Sequence, residues 1–156
     1  MALTLQTIRD KIRERFPDHI IVEDLSNADC LLIPQEIYRP VAELLNSNEE
    51  FRFDYLEFQT CVDHPPDHLN FVIYLKSVHF GHRVGLKVVL DRNRPALPSL
   101  ADLWANADWN EREVFDLFGV VFHDHPDLRR LMMPEDWTGH PLRKDYLHPN
   151  VVKRPD

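Results

Sequence analysis

The chain has 156 residues, 44% hydrophobic and 28% charged, with a formal net charge of −8. That length and balance predict one soluble fold with one core, and the acidic charge argues against a nucleic-acid backbone binder. No run of about 18 apolar residues is present, so no transmembrane helix is expected. The N-terminus MALTLQTIRDKIRERFP lacks a signal-peptide pattern, which predicts an intracellular protein that meets a membrane only through partners.

Residues 3–16 carry Leu5, Ile8, Ile12 and Phe16 at helical spacing and stop at Pro17. HIIVEDL (19–25) and DCLLIP (29–34) read as two short strands joined by Ser26-Asn27-Ala28. Pro34 suits the first turn of a second helix with Ile37, Val41, Leu44 and Leu45 on one face. Three strands follow at 51–62, 69–78 and 82–90. The last two are joined by the His79-Phe80-Gly81 turn, and the first two by a Pro65-Pro66 loop at 63–68.

Next, Ser99-Leu100-Ala101-Asp102 predicts a short helix ending near Trp104. A longer helix then begins with Asp108 as N-cap and Glu111 completing a capping box. Val114, Phe115, Leu117 and Phe118 form its apolar face, and Gly119 suits the position just past its end. Glu111, Arg112, Glu113 and Asp116 are left for its outer surface. The fold class is α+β in two layers, with helices on one face of a mainly antiparallel or mixed sheet. Beyond Phe122, Pro126, Pro134, Pro141, Pro149 and Pro155 discourage regular structure. Residues 1–122 are therefore expected to form the α+β domain and 123–156 an extended C-terminal arm.

The acidic character belongs to the body: residues 1–120 hold 20 acidic and 12 basic side chains, and residues 121–156 hold 6 of each. Cys30 and Cys61 are too few for an iron–sulfur cluster and read as buried thiols. Three chemistries suit the arm and the helix before it. A metal site could draw on His123, His125, Asp124 and Asp127, or on the pairs His64/His68 and His79/His82, but none has a recognised ligand spacing. An acid–base pair could use Glu113 and Asp116, three apart on a helix, where a charged helix face is the plainer reading. Docking needs the same residue types: Arg129, Arg130, Arg143 and Lys144 for charge, and Leu128, Leu131, Met132, Met133, Trp137, Leu142 and Tyr146 for apolar pockets. Mixed charge, prolines and absent periodicity favour docking. The competing class is a small metal-dependent hydrolase built on His123 and His125.

Three blocks then carry a family resemblance. They are Glu111-Arg112-Glu113-x-x-Asp116-x-x-Gly119, His125-Pro126-Asp127-Leu128-Arg129-Arg130, and, after Trp137, Gly139-His140-Pro141-Leu142-Arg143-Lys144-Asp145-Tyr146. Their order and spacing resemble the thirty-kilodalton subunit of respiratory complex I. In bacteria this is the C-type subunit of NADH–quinone oxidoreductase, and its plastid and cyanobacterial counterpart is the J-type subunit. The resemblance implies a non-catalytic structural subunit of the peripheral arm, on the cytoplasmic side of the bacterial membrane. It implies an arm that wraps over the forty-nine-kilodalton, D-type subunit, with FMN, iron–sulfur clusters and quinone all bound by other subunits. Related membrane-bound hydrogenases and dehydrogenases use members of the same family, and some relatives continue beyond the last block or are fused to the D-type subunit.

Overall fold

Thr4 starts the first helix by accepting the Thr7 N–H on its hydroxyl at 3.2 Å, and Ile8 and Ile12 bury its inner stripe. This helix, α1, spans Leu5–Arg15, as its periodicity predicts. The structure, a computed structural model, describes residues 3–24, 26, 29–148 and 150. Strands β1 (Val22–Glu23) and β2 (Cys30–Leu32) pair antiparallel as expected; Leu25, Asn27 and Ala28 of their connection lie outside the described residues. Pro34 leads into a single 3-10 turn, Gln35–Ile37, before α2 (Tyr38–Ser47), which buries Tyr38, Val41, Ala42 and Leu45.

Strands β3 (Tyr55–His64), β4 (His68–Lys76) and β5 (Arg83–Asp91) complete a five-stranded sheet in the order β1-β2-β5-β4-β3. Within it only the β2–β5 pairing is parallel. The register places Leu69, Phe71, Ile73 and Leu75 of β4 opposite Leu90, Val88, Leu86 and Val84 of β5. All eight face one core with the buried residues of α1, α2 and the later helix α3 (Ala107–Phe118). The helices thus cover one face of a mixed sheet. On the other face the Tyr74 ring lies 5.0 Å from Phe58 and under the Arg83 guanidinium, while Phe58, Val62 and Val89 stay exposed.

Four local expectations are corrected. The first long strand starts at Tyr55, not residue 51, because Phe51 and Phe53 leave the strand path to fill the core beside His82. The Pro65-Pro66 loop is tighter than expected, since β3 runs on to His64 and β4 begins at His68. Residues 101–103 form a turn rather than a helix. There Ser99 and Leu100 are bonded to Glu111, and Asp102 is paired with Arg39 through two bonds of 2.7 and 2.6 Å. A second, two-stranded sheet was not foreseen: β6 (Ala96–Pro98) pairs parallel with β7 (Val121–His123), either side of α3 in sequence.

The outer edge of β3 is met by side chains. Trp104 Nε1 donates to the Phe53 carbonyl at 3.0 Å, Asn106 Nδ2 donates to the Leu56 carbonyl, and Asn110 Oδ1 accepts the Gln59 N–H at 3.4 Å. Both cysteines are free and buried, and burial pushes the Cys30 thiol up to about 11.

Candidate functional site

Helix α3 is the track on which the arm is laid. Its N-cap is Asn106, which makes no side-chain cap bond, so the expected capping box of Asp108 and Glu111 does not form. Glu111 points inward and is fully buried. Its carboxylate accepts the Ser99 hydroxyl at 2.6 Å, the Leu100 N–H at 2.7 Å and the Gln59 amide at 3.4 Å. Burial raises its pKa above the ordinary glutamate value, against the pull of those donors. Arg112 and Asp116 are also buried, so three of the four charged residues expected on the outer face are inside; Glu113 is half-buried.

The arm follows α3 from its first turn to its last. At the start, His125 donates from Nε2 to the Asp108 carbonyl at 3.1 Å and accepts the Asp127 N–H on Nδ1 at 3.0 Å. These bonds occupy both ring nitrogens, and His123 is exposed, so the pair does not converge on a metal. His64 and His68 stack on each other at 4.8 Å instead of opening toward an ion. Among the described residues no group of three or more His, Cys, Asp or Glu stands together as a metal site. Pro126 is exposed, and Asp127 pairs with the exposed Arg129 at 2.8 Å.

One turn further on, Arg112 donates to the carbonyls of Arg129 and Arg130, each at 3.2 Å, with its guanidinium 5.1 Å over the Trp109 ring. Asp116 then takes the Arg130 guanidinium on Oδ1 at 2.6 Å. Its Oδ2 accepts the N–H groups of Leu131, Met132 and Met133 at 3.0, 2.6 and 2.9 Å. Burial works against that charge, but these donors outweigh it and hold the carboxyl below the usual range. Arg130 also donates to the carbonyls of Trp137 and Gly139, which closes the loop between them.

The last block, Gly139 to Tyr146, finishes the helix. A helix leaves its final carbonyls without intrahelical partners, and its C-terminal pole favours cations. The Phe115 carbonyl accepts the Gly119 N–H at 2.9 Å, as the left-handed Gly119 (φ +80°) allows. The Asp116 carbonyl accepts His140 Nδ1 at 3.0 Å and Arg130 at 3.1 Å. The Leu117 carbonyl accepts the Leu142 N–H at 3.0 Å, and the Phe118 carbonyl accepts Arg143 Nε at 2.6 Å. The motif His140-Pro141-Leu142-Arg143 is thus the C-terminal cap of α3, with Pro141 half-buried at its turn.

Arg143 also reaches the Arg92 carbonyl at 3.0 Å, and the Lys144 N–H donates to Asp63 at 2.7 Å. Arg92 is forked between two carboxylates. It meets Asp63 at 2.7 and 3.0 Å and Asp145 at 3.1 and 2.6 Å. The Arg92 bond, joined by Lys144, holds the Asp63 carboxyl down to about 2 despite burial. Tyr146 packs on Gly139, and His148 stacks on Trp137 at 4.7 Å. Sequence reading missed Asp63, Arg92, Ser99 and Gln59. Asp63 and Arg92 lie at strand ends 29 residues apart, a separation at which no local pattern announces a pair.

Gly119 tests this arrangement. A Cβ there would stand 2.6 Å from the His140 ring, in a backbone conformation that disfavours any L side chain. Gly119→Ala is expected to lose about 1–2 kcal/mol of stability. The His140 ring resonances should shift while those of α1 stay in place; an unmoved His140 spectrum would contradict the cap.

With the arm placed, comparison with known proteins is direct. Residues 31–151 match the model of the family described as "Respiratory-chain NADH dehydrogenase, 30 Kd subunit". The chain belongs to this family. The family resemblance is borne out: the C-type NADH-quinone oxidoreductase subunit of Roseiflexus sp. (strain RS-1) is 40% identical, covering 93% of this chain and 85% of that protein. The J-type NAD(P)H-quinone oxidoreductase subunit of Synechococcus sp. (strain WH7803) is 41% identical, covering 90% and 78%. Among solved structures, a trypsin-resistant fragment (1-134) of Nqo5 superposes with a TM-score of 0.61 at 29% identity, over 78% of this chain and 99% of the fragment. A chain of the membrane-bound sulfane sulfur reductase, an archaeal respiratory membrane complex, shares the fold with a TM-score of 0.74 at 22% identity, over 97% of this chain and 94% of that one. The stretch matched to the family model takes in most of β2, α2, β3 to β7, α3 and the arm as far as residue 151. No helix among the described residues is long and apolar enough to cross a membrane.

Proposed function

We propose that this chain is a structural subunit of the peripheral arm of a proton-translocating NADH–quinone oxidoreductase, docking on the D-type subunit through the outer side of its C-terminal arm. One observation carries the reading: Arg112, Asp116, Arg130, His140 and Arg143 of the motif blocks are occupied in fastening the arm to α3, not in forming a reactive cluster. A segment fixed in this way presents its outer side without the entropy cost of ordering it at the moment of binding. The arm exposes Met132, Leu142 and Leu147, by 58, 52 and 78%, together with Arg129 and Lys144, and Trp109 of α3 is exposed by 59%. Apolar anchors rimmed by charge are what a protein partner buries.

In this reading the electrons pass from NADH through FMN and iron–sulfur clusters to quinone in other subunits, and this chain holds none of those groups. It sits on the cytoplasmic side of the bacterial membrane, attached through the complex. Arg130 and Arg143 already have partners within the chain, so the docking contacts shift from those arginines to the exposed residues around them.

The test is co-expression with the D-type subunit. The double variant Leu142→Ser, Leu147→Ser should melt close to the parent chain, since both side chains are exposed. Its recovery with the partner should fall about tenfold or more, as expected for loss of interface anchors. Full recovery of the complex would refute the proposed surface. Stoichiometric zinc or iron in the purified chain would refute the structural reading itself and favour the hydrolase.

A further inference from the structure

The turn at residues 130–133 is built like a ligand site. Three successive N–H groups, from Leu131, Met132 and Met133, converge on one carboxylate oxygen, and the Arg130 guanidinium takes the other. Consecutive amides aimed at one point form a concave anion site in many loops. Here the anion comes from another element, since Asp116 lies on α3, 14 to 17 residues earlier in the chain. It is fully buried in that position.

The placement of Asp116 is locally wrong and globally right. It occupies the last turn of α3, where the helix pole repels an anion. Without the arm, its carboxylate would stand at the negative end of the helix beside the unbonded carbonyls of Asp116, Leu117 and Phe118. With the arm on, the donors of 130–133 take the charge, and His140, Leu142 and Arg143 take the carbonyls. A residue that opposes its own helix and agrees with a remote segment marks a contact on which the global arrangement depends.

We infer that residues 130–133 form a carboxylate-binding cup for which Asp116 is a tethered ligand, and that filling this cup controls whether the middle of the arm, residues 130–139, lies fastened against α3 while the contacts on either side keep hold. Arg130 transmits the state of the cup to the next loop, because the same guanidinium holds the carbonyls of Trp137 and Gly139. The cup is specific for a small anion of carboxylate shape: one oxygen for the three amides, a second for the guanidinium. If the ligand is separable from the helix that carries it, a free carboxylate can replace it.

The experiment uses the full chain and amide hydrogen exchange, with formate as the probe. In Asp116→Ala, exchange at residues 131–133 and at Trp137, whose N–H is bonded to the Pro134 carbonyl, should quicken by about tenfold or more, while β4 and β5 stay protected. Millimolar formate should restore protection at 131–133, and formamide, of like size and neutral, should not. Unchanged exchange in the variant, or equal effects of formate and formamide, would overturn the inference. Should Asp116→Ala fail to fold, Asp116→Asn decides the matter, keeping the shape without the charge. Faster exchange at 131–133 over an intact sheet supports the cup, and parent-like exchange there overturns it.

Discussion

Replacing Glu111 by alanine is expected to lower the unfolding free energy by about 2–4 kcal/mol, a large share of what a domain of this size possesses. The carboxylate is the acceptor for the Leu100 N–H, the Ser99 hydroxyl and the Gln59 amide in a site closed to water. Alanine strands the backbone donor entirely, and each buried donor left unpaired costs about 1–3 kcal/mol. Two effects hold the total down: the Ser99 hydroxyl can rotate toward another acceptor, and removing the carboxylate also removes the cost of burying its charge. The same burial sets the pH dependence. Because the folded pKa lies above the ordinary value of 4.5, the protonated form is favoured in the fold. Its stabilising contribution is present below that ordinary value and is lost as pH rises through the folded one. Glu111→Gln should therefore cost less than alanine and abolish this part of the pH profile. Urea unfolding of the three proteins measures both effects. A midpoint for Glu111→Ala equal to that of the parent would show that Glu111 does not anchor the 99–100 turn.

The second large effect belongs to Asp63. Breaking a buried ion pair from one side costs about 3–5 kcal/mol when the stranded charge has no other partner. Arg92 keeps Asp145, which is itself largely exposed, so Asp63→Ala is expected to cost less, about 2–3 kcal/mol, at neutral pH. The acid limb follows from the depressed pKa. The folded carboxyl titrates at about 2, below its ordinary value of 3.8. Its contribution is complete above the ordinary value and disappears as pH falls through about 2. Asp116 and Asp145 are held low as well, so the parent should lose stability through several groups in this window. Asp63→Ala should show a shallower loss over the same range. Identical acid limbs in variant and parent would show that Asp63 contributes nothing through its charge.

Much of the fold was legible because its signals are local. Ile8 and Ile12 mark α1, Gly119 marks the end of α3, and the His79-Phe80-Gly81 turn marks the β4–β5 hairpin. Glu111 was misread for an instructive reason. Asp108 and Glu111 have the spacing of a capping box, and nothing nearby reveals that Ser99 and Leu100 will claim the carboxylate. Strands β6 and β7 escaped because three residues each carry too little alternation to notice, and β6 is also bounded by Pro95 and Pro98. In the arm, the residue types suited to docking were evident, but not the surface they meet. An arginine that caps the helix of its own chain and one that pairs with a neighbour look alike in sequence. Arg143 and Arg130 are of the first kind, and only the end of α3, with its row of waiting carbonyls, distinguishes them.

The side chains along the outer edge of β3 have a further consequence. A strand at the border of a sheet normally offers its free amides and carbonyls to any extended segment that comes by. Here Asn106 and Asn110 already occupy that ladder at Leu56 and Gln59, and Trp104 bonds the Phe53 carbonyl just before the strand. The opposite border, β1, is only two residues long. The first half of the long side, around Leu56 and Gln59, is therefore closed to enlargement by strand addition. Copies of the chain are guarded there against stacking edge to edge, and a neighbour that meets this stretch has to be recognised by surface shape and side chains rather than by borrowed backbone bonds.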